Sequence, residues 1–228
     1  MIQVVLWDVD GTLLDFHRAE AAAIRTLFQK FGLGTCSDAM LADYSAINAG
    51  FWRKLETGEL SKAQILTGRF ETFFSKYGLD TSCVADFNAA YQLALGDTIR
   101  FCPNALETLQ AMKGQALQCA VTNGTIAAQK KKLALSGLDK VFDHIFISDE
   151  IGIDKPNVAF FDAVWQTIGR FDPSSVLIVG DSLTSDIRGG NNAGIKTCWY
   201  NPNGLPLPED LRIDYDIRDL KQVLEICK

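Results

Sequence analysis

The chain has no excess of positive charge, no clustered cysteines, no long apolar run and no tract of low complexity, and each absence removes a class of function. Twenty-eight acidic residues against 22 basic ones give a formal net charge of -6, and the isoelectric point lies near 5.0. That balance disfavours long-range attraction to a nucleic acid polymer but leaves room for a local basic pocket around one phosphate. The six cysteines, Cys36, Cys83, Cys102, Cys119, Cys198 and Cys227, form no CxxC pair and no cluster with His17 or His144. Neither a zinc site nor a disulfide framework is expected. No apolar segment is long enough to span a bilayer, and Met1 leads at once into a short apolar run ending in acid, so neither a membrane span nor a secretory signal is expected and the cytoplasm is the default address.

What is present is the composition of a folded enzyme. Hydrophobic residues make up 47% and charged residues 22% of 228, which suits a main domain carrying an inserted subdomain. The run Ile2 to Trp7 is short, β-branched and almost continuously apolar, as in a strand buried on both faces of a parallel sheet. Comparable runs occur at Leu117 to Val121, His144 to Ile147, Val176 to Val179 and Ile195 to Trp199, with stretches of helical length between them. This alternation predicts an α/β fold, a doubly wound parallel sheet of Rossmann-like type. Between residues 16 and 98 the alternation stops. Amphipathic segments at about Arg18–Phe31, Ala39–Leu55, Lys62–Tyr77 and Val84–Leu95 predict an inserted helical subdomain, leaving 1–15 and 99–228 as the core. Pro103 fits the first turn of a helix running to about Met112. Asn201 to Glu209, with three prolines, is the one clearly loop-like tract.

Acidic residues stand where these strands end. Asp8-Val9-Asp10-Gly11-Thr12 follows the first run directly, and ligand sites in open α/β sheets lie outside the carboxyl ends of the strands. Gly11 lets the backbone turn so that both carboxylates can face one centre. Such a pair repels itself unless a cation intervenes, and a hard cation such as Mg2+ takes oxygen ligands. The alternative is an acidic turn capping a strand. Val179-Gly180-Asp181-Ser182 ends a second run with an acid, and Asp186 follows. Asp181 offers a further metal ligand, or the N-cap of a helix beginning near Leu183. Val121-Thr122-Asn123-Gly124 supplies a hydroxyl and backbone donors for a phosphate oxygen, or a capped strand-to-helix turn. Lys155, before Pro156 and Asn157, could supply the positive charge that strand-end acids around a phosphate require, or lie in solvent.

In order and spacing these four segments resemble the haloacid dehalogenase-like superfamily, and the helical insert resembles that superfamily's cap placed after the first strand. The resemblance implies Asp8 as the nucleophile that forms an aspartyl-phosphate and Asp10 as general acid and base. It also implies Mg2+ held by the Asp8 carboxylate, the Asp10 backbone carbonyl and Asp181 with Asp186 in support, and phosphoryl oxygens gripped by Thr122, Asn123 and Lys155. The tract from Gly189 to Pro202 and the segment Gly68-Arg69-Phe70-Glu71 look like the pyrimidine 5'-nucleotidase branch, which removes phosphate from nucleoside monophosphates such as dUMP and dTMP and from non-canonical pyrimidine nucleotides. The implied partner is a small phosphate ester, with neither nucleic acid polymer nor membrane, and a monomer or homodimer is expected. Phe16, Asn48, Trp52 and Arg69 are candidates for contacting the base. As alternatives, the aromatic residues belong to the core and Arg69 pairs at the surface with Glu71 or Glu56.

The core motifs do not distinguish the group esterified to phosphate, so a sugar-phosphate phosphatase or phosphomutase is the nearest rival. A phosphonate hydrolase would need a Schiff-base lysine such as Lys54 or Lys62. A dehalogenase has no need of Asp10 or of Asp181. A non-catalytic phosphate-binding protein of the same fold is the reading from a different class.

Overall fold

A computed structural model describes residues 1–228. Six strands, β1 (Val4–Trp7), β2 (Leu117–Thr122), β3 (His144–Ile147), β4 (Val176–Gly180), β5 (Lys196–Tyr200) and β6 (Tyr215–Ile217), form one sheet in the order β3-β2-β1-β4-β5-β6. Every neighbouring pair is parallel. β1 and β4 are buried along their whole length, which is why their sequences read as unbroken apolar runs instead of alternating ones. The order reverses beside β1: the chain runs outward through β2 and β3, then returns to place β4 on the other side of β1. In such sheets ligands usually bind beyond the carboxyl ends of the strands at a reversal of this kind.

The chain divides into two units, residues 1–15 with 100–228, and residues 16–99. The second contains α1 (Phe16–Lys30), α2 (Asp38–Glu56), α3 (Lys62–Lys76) and α4 (Val84–Ala94). Ser37 caps α2 by accepting from the Met40 amide, and Ser61 with Gln64 forms a capping box on α3. The apolar faces of the four helices meet in a cluster of rings. Phe28, Tyr44, Phe70, Phe73, Phe74, Phe87 and Tyr91 are all fully buried, with Phe87 packed edge-on against Phe70 and Phe74 at 5.0 Å between centroids.

The first unit supplies α5 (Ala105–Ala111), α6 (Ile126–Ser136), α7 (Ser148–Ile151), α8 (Val158–Ile168), α9 (Arg188–Asn192) and α10 (Val223–Ile226). Three features depart from the sequence-based expectation. Helix α5 starts at Ala105, not at Pro103, because Asn104 adopts a left-handed backbone (φ 63°) and points its side-chain amide at both Asp219 oxygens, 2.9 Å away. β6 was not expected, since a three-residue edge strand carrying the exposed Asp216 has no continuous apolar run. The N-cap after β4 is Ser182, not Asp181; it accepts from the Ser185 amide and opens a single π turn, Leu183–Ile187. All six cysteines are free, and no helix is long and apolar enough to cross a membrane.

The ring cluster predicts a large and local energetic response. Phe70→Ala should lower the unfolding free energy by about 3–5 kcal/mol, whereas Leu135→Ala, at a side chain 60% exposed, should change it by less than about 0.5 kcal/mol. Urea unfolding of the two variants checks the contrast.

Candidate active site

Asp8 directly follows β1, and its amide donates to the Val179 carbonyl at 2.9 Å, so the pairing with β4 continues one residue past the strand and fixes where this carboxylate begins. The chain then folds back sharply, with the amides of Leu13 and Leu14 both donating to the Val9 carbonyl. Gly11 sits in this turn at φ +93°, and a Cβ there would lie 2.6 Å from Asp181 Oδ2. Only glycine serves both the backbone conformation and the close approach of Asp181. Thr12, fully buried, completes the join: its hydroxyl donates to Asp181 Oδ1 and accepts from the Asp181 amide, each at 3.0 Å. Trp199 Nε1 donates to the Asp181 carbonyl at 2.9 Å.

Lys155 is fully buried, so its position in solvent is excluded. Its ammonium donates to Asp8 Oδ1 at 3.0 Å, Asp186 Oδ1 at 2.6 Å and the Val121 carbonyl at 2.7 Å, using all three donors. The side chain of Asn123 holds the same residue: its Nδ2 donates to the Lys155 carbonyl and its Oδ1 accepts from the Lys155 amide, both at 2.8 Å, while Nδ2 also donates to Ser185 Oγ at 3.4 Å. Asn123 therefore clamps Lys155, and its backbone remains the part that can face a phosphate. Thr122 is buried at the end of β2, where its hydroxyl accepts from the Gly124 amide at 3.3 Å. The helix after this strand is capped by Thr125, not by Thr122 or Asn123.

Carboxylate oxygens of Asp8, Asp181 and Asp186 lie within 4.8 Å of one another. Burial, and then the charge of Asp186, push the Asp8 carboxyl well above its ordinary value, with Lys155 opposing the rise. Asp181 is pushed up to about 7, first by burial and then by Asp186. Burial would lower the Lys155 ammonium, but the charges of Asp186 and Asp8 outweigh it and hold the group above its usual value. When all three carboxylates are ionised they exceed the one ammonium by two negative charges, and a hard divalent cation with oxygen preference fits that surplus and that donor set. Asp186 thus belongs among the clustered carboxylates, and it also accepts from the Ser182 amide through Oδ2 at 3.1 Å. The nearby Cys102 thiol is pushed up to about 12 by burial and by Asp15, so it stays protonated and has no nucleophilic character.

The Asp10 side chain stands apart from these three. Its carboxylate is bound by Gln129 Nε2 at 2.6 Å on one oxygen and by Lys132 Nζ on the other. Neither partner was anticipated, because Lys132 ends the run Lys130-Lys131-Lys132, which reads as a solvated helix face. The available signal was the spacing: Gln129 and Lys132 are three apart and share one face of α6.

In the helical unit Asn48 and Arg69 are buried and committed to one another. Arg69 Nη1 donates to Asn48 Oδ1 at 2.8 Å and Nη2 to Asn88 Oδ1 at 3.2 Å, while Asn48 Nδ2 donates to Glu20 Oε1 at 2.9 Å. Arg69 is thus bonded in the interior, not paired at the surface. Phe16 and Trp52 are half-buried.

The site is thus a lysine-paired aspartate at the end of the central strand of a doubly wound sheet, beside two further acids that could hold a metal ion with it. The family model for haloacid dehalogenase-like hydrolases matches residues 2–194. HAD-hydrolase YfnB of Bacillus subtilis is 36% identical over 98% of this chain and 94% of its own. Its magnesium-bound crystal structure, which reveals interdomain movement, superposes with a TM-score of 0.93 over 100% of this chain and 99% of that one. Pyrimidine 5'-nucleotidase PynA of Streptococcus pneumoniae is 35% identical over 97% of this chain and 93% of its own, and pyrimidine 5'-nucleotidase YjjG of Escherichia coli 32% identical over 98% and 97%. The chain belongs to the haloacid dehalogenase-like hydrolases.

The raised carboxyls carry a pH prediction. An unfolded carboxyl releases its proton near 3.8 and the folded Asp181 near 7, so between these values the folded form holds the extra proton. The contribution of this group to stability is greatest at low pH, declines as pH rises through that window and is lost above about 7. A divalent cation binds the ionised form, so its stabilisation should grow with pH. Melting temperatures at pH 5 and pH 8, in EDTA and in millimolar Mg2+, should show a wider gap at pH 8; a gap that narrows would place the cation elsewhere.

Proposed function

We propose that this hydrolase is a Mg2+-dependent phosphoric monoesterase acting through an aspartyl-phosphate on Asp8, with pyrimidine nucleoside monophosphates as substrates. The observation that carries the reading is the Asp8 carboxylate held by the buried Lys155 ammonium at the end of the central strand, with Asp181 and Asp186 beside it. In this reaction a carboxylate oxygen of Asp8 attacks phosphorus while the ester P–O bond breaks. Asp10 gives a proton to the departing oxygen. Asp10 then takes a proton from water as that water attacks the aspartyl-phosphate, which releases inorganic phosphate and restores the Asp8 carboxylate. Lys155 and the backbone amides following Thr122 hold the phosphoryl oxygens. Mg2+ held by Asp8, Asp181 and Asp186 and by the Asp10 carbonyl would offset the negative charge shared between enzyme and substrate.

The nucleotide assignment is supported by the similarity to PynA and YjjG over nearly the whole chain. Within the helical unit, Asn48 and Arg69 are bonded to one another, which leaves Phe16 and Trp52 as the candidates for stacking on a base.

Phosphate release from dUMP, dTMP, UMP, AMP, sugar phosphates and p-nitrophenyl phosphate, with and without Mg2+, tests both levels of the reading. Metal-dependent preference for the pyrimidine nucleotides is expected, with Asp8→Asn reduced to background. Preference for sugar phosphates would replace the substrate and keep the mechanism. Hydrolysis by Asp8→Asn at the wild-type rate would overturn Asp8 as the nucleophile, whereas no release from any ester by the wild-type protein would end the phosphatase reading and favour a phosphate-binding protein.

A further inference from the structure

Two buried side chains of α6 have no part in the reaction as written. Gln129 and Lys132 are 1% and 2% exposed, and each holds a different oxygen of Asp10, Gln129 on Oδ2 and Lys132 on Oδ1. A carboxylate gripped at both oxygens by separate donors has neither rotamer freedom nor freedom to turn about its terminal bond. The rest of the local structure makes way for this grip. Gly124 lies between β2 and α6, and a Cβ there would fall 2.1 Å from Gln129 Nε2, so any larger residue would push the amide off Asp10. The other end of that amide, Oε1, is buried with no hydrogen-bond partner. Leaving an acceptor unsatisfied costs stability, so the amide's orientation is set by its bond to Asp10.

We infer that Gln129 and Lys132 are positioning residues that aim the Asp10 carboxyl group at the leaving-group oxygen. The inference rests on the reading of Asp10 as proton donor in ester cleavage. In that step the proton passes from the Asp10 carboxyl to the ester oxygen as the P–O bond breaks, the alcohol departs and Asp10 is left as carboxylate. A general acid matters in proportion to the basicity of the leaving oxygen. An alkoxide needs its proton, whereas p-nitrophenolate departs without one. Loss of aim must therefore slow alkyl esters and spare the aryl ester, a distinction that a merely structural ion pair between α6 and the Asp10 turn would not produce.

The test is a single-turnover measurement with enzyme in excess, following release of deoxyuridine from dUMP, of glycerol from glycerol 2-phosphate and of p-nitrophenolate from p-nitrophenyl phosphate in saturating Mg2+. Single turnover isolates cleavage from the later hydrolysis of the phosphoenzyme, which both ester types share. Lys132→Met should slow release from the alkyl esters by about 10²-fold, the lower end of general-acid contributions, with little change for p-nitrophenyl phosphate or for substrate affinity. Lys132→Arg should recover part of the loss. Gln129→Leu removes the second hold without uncovering a charge, and should show the same split in smaller measure even if Lys132→Met folds poorly. Equal slowing of alkyl and aryl esters, a loss confined to affinity, or wild-type rates in both Lys132→Met and Gln129→Leu would overturn the inference. Failure of the wild-type protein to release any of the three products would instead overturn the phosphatase reading on which it rests.

Discussion

The site is organised around one buried cation. The Lys155 ammonium donates to Asp8, to Asp186 and to the Val121 carbonyl, so a single group ties the end of β1, the turn after β4 and the last stretch of β2. A lone ammonium buried in this way would be expelled or neutralised. Here two carboxylates hold it charged, and Asn123 fixes its backbone through both the amide and the carbonyl. The dependence is mutual. Without Lys155, Asp8 and Asp186 would face each other with Asp181 alongside, and burial has already driven Asp8 and Asp181 towards protonation. In the proposed reaction Asp8 attacks as a carboxylate, so the lysine would serve that chemistry as well as the fold.

One ammonium does not balance three acids, and the remaining charge explains why the turn after β1 is built so tightly. Gly11 allows Asp181 to approach within a distance that no side chain would permit, and Thr12 holds the same carboxylate by donating and accepting at once. Hydrogen bonds to an ionised carboxylate favour that form, so the turn keeps Asp181 available to a cation against the repulsion of its neighbours. Asp10, two residues from Asp8, is kept out of this cluster by its bonds to Gln129 and Lys132. Two acids almost adjacent in sequence thus occupy distinct electrostatic settings, as the different duties given to them in the proposed reaction would require.

The legible part of the protein was the part whose signals are local. Five strands announce themselves as apolar runs, and acids follow two of them without a break, so the sheet and the meeting of Asp8 with Asp181 are legible in the sequence, whereas Lys155 is suggested only by the need for a positive charge beside those acids. β6 could not, since an edge strand of three residues has no run to detect. Asn123, expected to contact a phosphate, instead directs its side chain at the Lys155 backbone. Lys132 was hidden among neighbours of its own kind: Lys130 reaches the surface and pairs with Glu150 at 2.6 Å, while Lys132, two residues on, turns inward. Residue type cannot tell these apart, because the difference lies in which face of α6 is buried, the face that carries Ala128, Gln129, Lys132 and Leu133.

The helical unit shows the same limit from the other side. Its apolar rings drive collapse but are weakly directional, and several packings of four such helices would bury them equally well. The polar residues inside it are directional. Glu20 on α1 accepts from Ser45 and Asn48 on α2, Asn48 accepts from Arg69 on α3, and Arg69 reaches Asn88 on α4. The Arg69 guanidinium also lies 4.9 Å from the Phe70 ring centre and 5.0 Å from that of Tyr91, a contact that lowers the cost of its burial. All four helices are therefore joined by one chain of hydrogen bonds that closes in a single register. Buried charge of this kind adds little net stability compared with a well-packed apolar core, yet any shift of one helix would strand a charge without its partner. Glu20 and Arg69 thus act by making alternative packings costly, and a sequence read for amphipathic spacing registers the helices without revealing what selects their arrangement.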